Sequence, residues 1–225
     1  MCYESRDRTA LAGCLVFAIL VGCRPNVPAR NMTKGSSTPP SLVQGHSRMI
    51  KLYRRLEEKT LYWEAWENQG VVTIHRGVVG DKGQAREIQL LQGDGDGVVV
   101  INEEAIAPRR DGFRELSEEE QISFVIQFRL DNWGSQEDLR KRHAVEDVMN
   151  ECLGWTGNGH CDGGDIGSGS INVYCFVIDP VIAATSTIEW LREKNLAEGV
   201  VIAYEKGDDY IVLWPKDFVG EFSPL

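Results

Sequence analysis

The chain lacks an apolar run long enough to cross a bilayer as a helix, which takes roughly 20 residues. Its best candidate, Ala10 to Val21, is shorter. That excludes a polytopic membrane protein built from helices. Basic charge is also scarce: 24 Lys and Arg stand against 34 Asp and Glu, for a net charge of −10. A protein whose surface is built to coat phosphate backbones shows the opposite balance. Complete catalytic and metal signatures are missing too. No second His/Cys cluster completes a zinc set around His160, Cys161, Asp162 and Asp165. No Gly-Lys-Ser/Thr follows the glycine-rich run Gly157 to Ser170, so it is not a P-loop. The segment Gln92 to Gly97 lacks the spaced third acid and later Glu of an EF-hand loop. These gaps point to a non-enzymatic chain without a cofactor or a resident metal.

What is present is ordinary for a soluble globular protein: 42% apolar and 26% charged residues over 225 positions, enough for one or two domains. The charge is uneven. Residues 1–48 carry net +4, residues 49–110 net −1, and residues 111–225 net −13. The C-terminal half should therefore repel phosphate backbones and attract cations or basic protein surfaces.

Arg6 and Arg8 precede the apolar run Ala10 to Val21, which has the length of a signal-peptide core. It ends in Leu20-Val21-Gly22-Cys23. This resembles the bacterial lipobox, in which a small residue precedes a cysteine that receives a diacylglyceryl group. The resemblance implies cleavage after residue 22, lipidation of Cys23 and a lipid-anchored place in the bacterial cell envelope. Residues 23–48 are rich in Pro, Gly and Ser and read as a disordered tether. The competing expectation starts the protein near Met49, in the cytoplasm. Of six cysteines, Cys152, Cys161 and Cys175 remain in the folded part. Cys175 reads as a buried thiol, and Cys152 with Cys161 as a possible pair in an oxidising compartment.

From Met49 to about Ile106 the pattern is β-rich. Leu61 to Glu67 and Val71 to Ile74 flank Asn68-Gln69-Gly70 and read as a hairpin. Gly80-Asp81-Lys82-Gly83-Gln84 then marks a turn. The Tyr62-Trp63-Glu64 strand, the Val71 to Ile74 strand and that turn resemble the WGR domain, a small β-rich module of poly(ADP-ribose) polymerases and many bacterial proteins. Where the family has Trp-Gly-Arg, this chain has Arg76-Gly77-Val78. The resemblance implies the fold over residues 49–110. It does not extend to the Trp and Arg that help the polymerases engage DNA ends, so nucleic acid is not the expected partner. Arg76, Lys82, Arg86, Trp63 and Trp66 form the candidate binding surface, with His75 beside them. A single-strand binder combines aromatic platforms with a basic groove.

Residues 111–225 read as an acidic α+β domain. Ile122 to Leu130 is strand-like. Ser135 caps a helix whose apolar face holds Leu139, Val145, Val148, Met149, Cys152 and Leu153, with Gly154 as its stop. Gly157 to Ser170 reads as an irregular strand and turn leading into the strand Ile171 to Ile178. Asp179-Pro180 opens a second helix with Val181, Ala184, Ile188 and Leu191 on its buried face. Gly199 to Tyr204 and Tyr210 to Trp214 close as strands around a Lys206 to Asp209 turn. The order βαββαβ plus one strand is that of a ferredoxin-like domain. The expected fold class is thus α+β, a WGR-like antiparallel β domain followed by a ferredoxin-like one. The expected function is a membrane-tethered lipoprotein that binds an unidentified protein or ligand. Two alternatives compete with it: a cytoplasmic WGR-type nucleic-acid-associated protein, and an enzyme or metal site within 157–170.

Overall fold

The computed structural model describes residues 49–90, 96–131 and 133–224. The signal, Cys23 and the tether lie outside them. The described chain is α+β, with two antiparallel sheets and three α-helices. Among the described residues no helix is long and apolar enough to cross a membrane.

The first sheet is a four-stranded meander of β1 (Ile50–Arg55), β2 (Thr60–Asn68), β3 (Val71–Val78) and β4 (Gln84–Gln89). The β2–β3 turn places Gln69 at φ 51° and Gly70 at φ 78°, the left-handed backbone a tight hairpin needs. That turn fixes the register, pairing Glu64 with His75 and Tyr62 with Gly77. Alternation sends Ile50, Leu52, Trp63, Ala65, Val72 and Ile74 to one face. There they pack under α1 (Gly97–Arg110), through Ile101 and Ala105.

This helix corrects the β-rich reading up to Ile106. Val98 to Ile101 is a β-branched run, but Asp96 caps the helix by accepting from the Val98 amide at 3.1 Å. Ile101 and Ala105, one turn apart, then bury against the sheet. Tertiary burial overrides the weaker local preference of the valines.

The second sheet has the order β6-β7-β5-β8-β9. Its elements run β5 (Ile122–Arg129), α2 (Gln136–Trp155), β6 (Gly159–Gly167), β7 (Ser170–Val177), α3 (Pro180–Glu193), β8 (Val200–Lys206) and β9 (Asp209–Trp214). Ser135 caps α2 as expected, in a reciprocal box with Asp138. The helix runs on to Trp155 rather than stopping at Gly154, and Gly157 takes φ +60° just beyond. Asp179 caps α3 through the amides of Val181 and Ile182, both at 2.9 Å. Val181 is exposed, contrary to expectation, while Ala183, Ala184, Thr187, Ile188 and Leu191 form the buried face. Both helices share one core with the inward residues Phe124, Ile126 and Phe128 of β5.

The other face of this sheet buries Val125, Val201 and Ala203 and carries Gln127 and Asn172, which meet the C-terminal segment. Gln127 Nε2 donates to the Ser223 carbonyl at 2.8 Å, and Asn172 Nδ2 donates to the Pro224 carbonyl at 2.8 Å. Both sheets belong to one unit, Gly45–Leu225. They meet through Tyr53, Tyr62, Val79 and Ile178, which form a small core of their own. The Gly80 amide donates to the Thr156 carbonyl at 2.9 Å, and Lys51 Nζ to the Gly159 carbonyl at 3.1 Å.

Candidate functional site

Four of the five expected surface residues come together. Trp63, Arg76, Lys82 and Arg86 line a groove of about 940 Å³ between β3–β4, the Gly80–Gly83 turn and the end of α1. Trp66 does not join them, because β2 sends Trp63 and Trp66 to opposite faces. Trp63 is only 5% exposed and packs in the core under α1, so it offers no open face for a base to stack on. Arg86 is held by Glu104 at 2.7 Å, and Lys82 Nζ sits 5.0 Å from the Trp190 ring centroid. Arg76 is exposed and makes no ion pair among the described residues. Asp81, Glu104 and Asp111 line the same groove, so its charge is mixed.

In the glycine-rich strand, His160, Cys161, Asp162 and Asp165 go to different partners. His160 packs on Phe176 at 5.6 Å between ring centroids, and burial with the nearby Lys51 charge lowers its pKa. Cys161 turns toward the helix-side core and pairs in register with Cys175. Contact with Cys175 lowers the Cys161 pKa, while burial raises that of Cys175. All three cysteines of the described residues are free thiols, and Cys161 faces Cys175 rather than Cys152. Asp162 falls in a β-bulge between Cys161 and Gly163. Asp165 accepts from Asn172 Nδ2 and the Tyr174 hydroxyl, both at 2.8 Å. Among the described residues no three His, Cys, Asp or Glu side chains are grouped to hold a metal ion.

The constellation that sequence reasoning missed lies between the two sheets. Glu64, His75 and Tyr62 are each at most 2% exposed. His75 Nδ1 and Glu64 Oε1 are 2.7 Å apart, and His75 Nε2 and the Tyr62 hydroxyl 3.1 Å. A carboxylate only accepts, so His75 Nδ1 donates to Glu64, and the Tyr62 hydroxyl is the partner of Nε2. The hydroxyl also lies 3.4 Å from the Trp155 carbonyl. Burial, then the Glu64 charge, pushes the Tyr62 pKa well above its ordinary value. Lys51 Nζ closes the chain 3.1 Å from Glu64 Oε2.

Two glycines make room for this network. Gly77, opposite Tyr62 in register, would bring a Cβ to 3.0 Å from the Tyr62 ring and hydroxyl. A Cβ on Gly83 would stand 2.6 Å from His75 Nε2. The Gly80–Gln84 turn therefore serves close backbone approach over the Tyr62–His75 contact. With both ring nitrogens engaged, His75 is a satisfied buried group that positions Glu64 rather than a base with a free valence. A signal did exist in the sequence. A hairpin turning at Gln69–Gly70 places Glu64 across from His75 by register alone.

No protein-family model, curated protein or solved structure matches this chain.

Proposed function

We propose that the protein is a lipid-anchored binding module of the bacterial envelope. The observation that carries this reading is the sequence Leu20-Val21-Gly22-Cys23 directly after an apolar run of signal-peptide length. The Pro/Gly/Ser-rich stretch that follows ends just before β1 at Ile50, where a tether would hand over to a folded body. Two or more acyl chains on Cys23 would hold it stably at a membrane, where a single chain would not.

The two sheets take the parts of a WGR-like and a ferredoxin-like module. The first reading is supported by the meander, the retained Gly77 and the turn over it. The second is supported by the order β6-β7-β5-β8 with helices after β5 and β7. Such folds carry no function of their own, so function lies in surfaces. The groove beside Arg76 is the surface we assign to a partner, a protein or ligand presenting an anionic group to that guanidinium. Nucleic acid is disfavoured by the buried Trp63 and the mixed charge of the groove.

The test is fractionation and intact mass after expression in a bacterial host. The wild type should sediment with membranes and carry acyl mass. Cys23→Ser should leave it soluble or unprocessed. A wild type without acyl mass, whose distribution is unchanged by Cys23→Ser, would overturn the anchor.

A further inference from the structure

A second cavity lies on the opposite face of the first sheet from the Arg76 groove. It has a volume of about 560 Å³ and is lined by Met49, Glu64, Trp66, His75, Glu151 and Trp155, among others. That volume is within the usual range for small-ligand sites. Its walls are aromatic. Trp155, the last residue of α2, stands edge-on to the His75 ring at 5.1 Å and 75°. Trp66, two residues along β2 from Glu64, stands edge-on to the same ring at 6.5 Å and 79°. The His75 ring is locked between them by its two hydrogen bonds, so this part of the wall is rigid. Trp155 is 46% exposed and Met49 50%, which leaves the cavity open to solvent.

The charges in and beside this cavity are unbalanced. Glu64 and Glu151 supply two carboxylates. Lys51, 3.1 Å from Glu64 Oε2, supplies one ammonium. Glu151 is exposed and makes no ion pair among the described residues, while Glu64 is already held by Lys51 at 3.1 Å and by His75 at 2.7 Å. Glu151 is therefore the carboxylate at this cavity with no counter-charge, within a chain whose C-terminal half carries net −13. Indole faces and an uncompensated carboxylate together recognise a cation too weakly hydrated to prefer water.

We propose that this cavity is a binding site for a small alkylammonium cation of the trimethylammonium type. The apolar shell of such a cation suits Trp66, Trp155 and the Met49 thioether, and its charge suits the surplus carboxylate. An inorganic cation would find too few oxygen ligands here, and a neutral apolar molecule would leave the carboxylates unused. No residue lines both this cavity and the Arg76 groove, and binding here needs no anchor, so its failure would leave the proposed function untouched.

The experiment titrates the full chain, held in a maltoside detergent, with choline, following tryptophan fluorescence and calorimetry. Saturable binding is expected. Its neutral isostere 3,3-dimethylbutan-1-ol should bind about tenfold or more weaker, the loss of one desolvated cation–π contact. Trp155→Ala should weaken choline by a similar factor without shifting the melting temperature by more than a few degrees. Glu151→Gln, an exposed change that leaves packing alone, should weaken choline and leave the isostere unaffected. Glycerophosphocholine identifies the source of the cation. Comparable binding would support the site with a lipid headgroup as ligand, and weaker binding would support it with a free solute. Absence of saturable choline binding, equal binding of the isostere, or full affinity in a folded Trp155→Ala variant would each overturn the proposal.

Discussion

Gly157→Ala should be the most informative single substitution between the two sheets. Gly157 follows the C-cap of α2 at φ +60°, where a Cβ would overlap Cγ, Cδ1 and Cε1 of Tyr62. Two costs add. An L-residue in the left-handed region costs about 1–2 kcal/mol. Forcing an extra carbon into packed surroundings costs roughly a further 1–3 kcal/mol. Tyr62 cannot swing aside cheaply, because it is 1% exposed and its hydroxyl is held at His75. Alanine also restricts the unfolded chain, which returns about 0.4–1 kcal/mol. The expected net loss is therefore about 1–4.5 kcal/mol, or roughly 2–18 °C in melting temperature for a unit of this size. Gly199→Ala is the matched control. It has φ +71° and nothing within 4 Å of the added carbon, so it carries the backbone cost alone, about 1 kcal/mol net. Urea unfolding of both variants against wild type decides the matter. If Gly157→Ala loses no more stability than Gly199→Ala, Tyr62 is not wedged against the end of α2, and the account of the network fails.

Glu64→Ala should cost about 1–3 kcal/mol in the same assay, because it leaves buried His75 Nδ1 without its acceptor, while Lys51 keeps the Gly159 carbonyl. Glu64→Gln keeps an oxygen for that nitrogen and should cost less, and equal losses would contradict this. Among the three cysteines of the described residues, Cys161 should be alkylated first by iodoacetamide, read by peptide mass spectrometry. Contact with Cys175 lowers its pKa, whereas burial pushes Cys152 up to about 12 and raises Cys175 as well. Early labelling of Cys152 would show that α2 opens more readily than its buried face implies. Fluorescence anisotropy near physiological salt should find no affinity for DNA ends tighter than about 10⁻⁶ M, the non-specific range. Tight binding abolished by Arg76→Ala would restore the nucleic-acid reading.

Local chemistry was enough to set the elements whose signals are short-range. Ser135 with Asp138, and Asp179 with Pro180, announce two helices because capping depends on residues three positions apart. Asn68-Gln69-Gly70 announces the hairpin and, through its register, the pairing of Glu64 with His75. The order of elements from β5 to β9 could be read in the same way, since each period change is written in neighbouring residues.

Tertiary structure decided what depends on distant partners. Val98 to Ile101 is helical only because a sheet waits under Ile101 and Ala105. Trp63 and Trp66 had to face opposite ways, but which one entered a core depended on where α1 packed. The glycines Gly77 and Gly83 look like turn residues in the sequence. Their task, leaving space over Tyr62 and His75, exists only once the strands and the turn are stacked. Trp155 reaches His75 from eighty positions away, a juxtaposition that no local spacing encodes. Capping and alternation act through the next few bonds of the chain. A pocket is made by side chains whose only connection is the packing of the folded core.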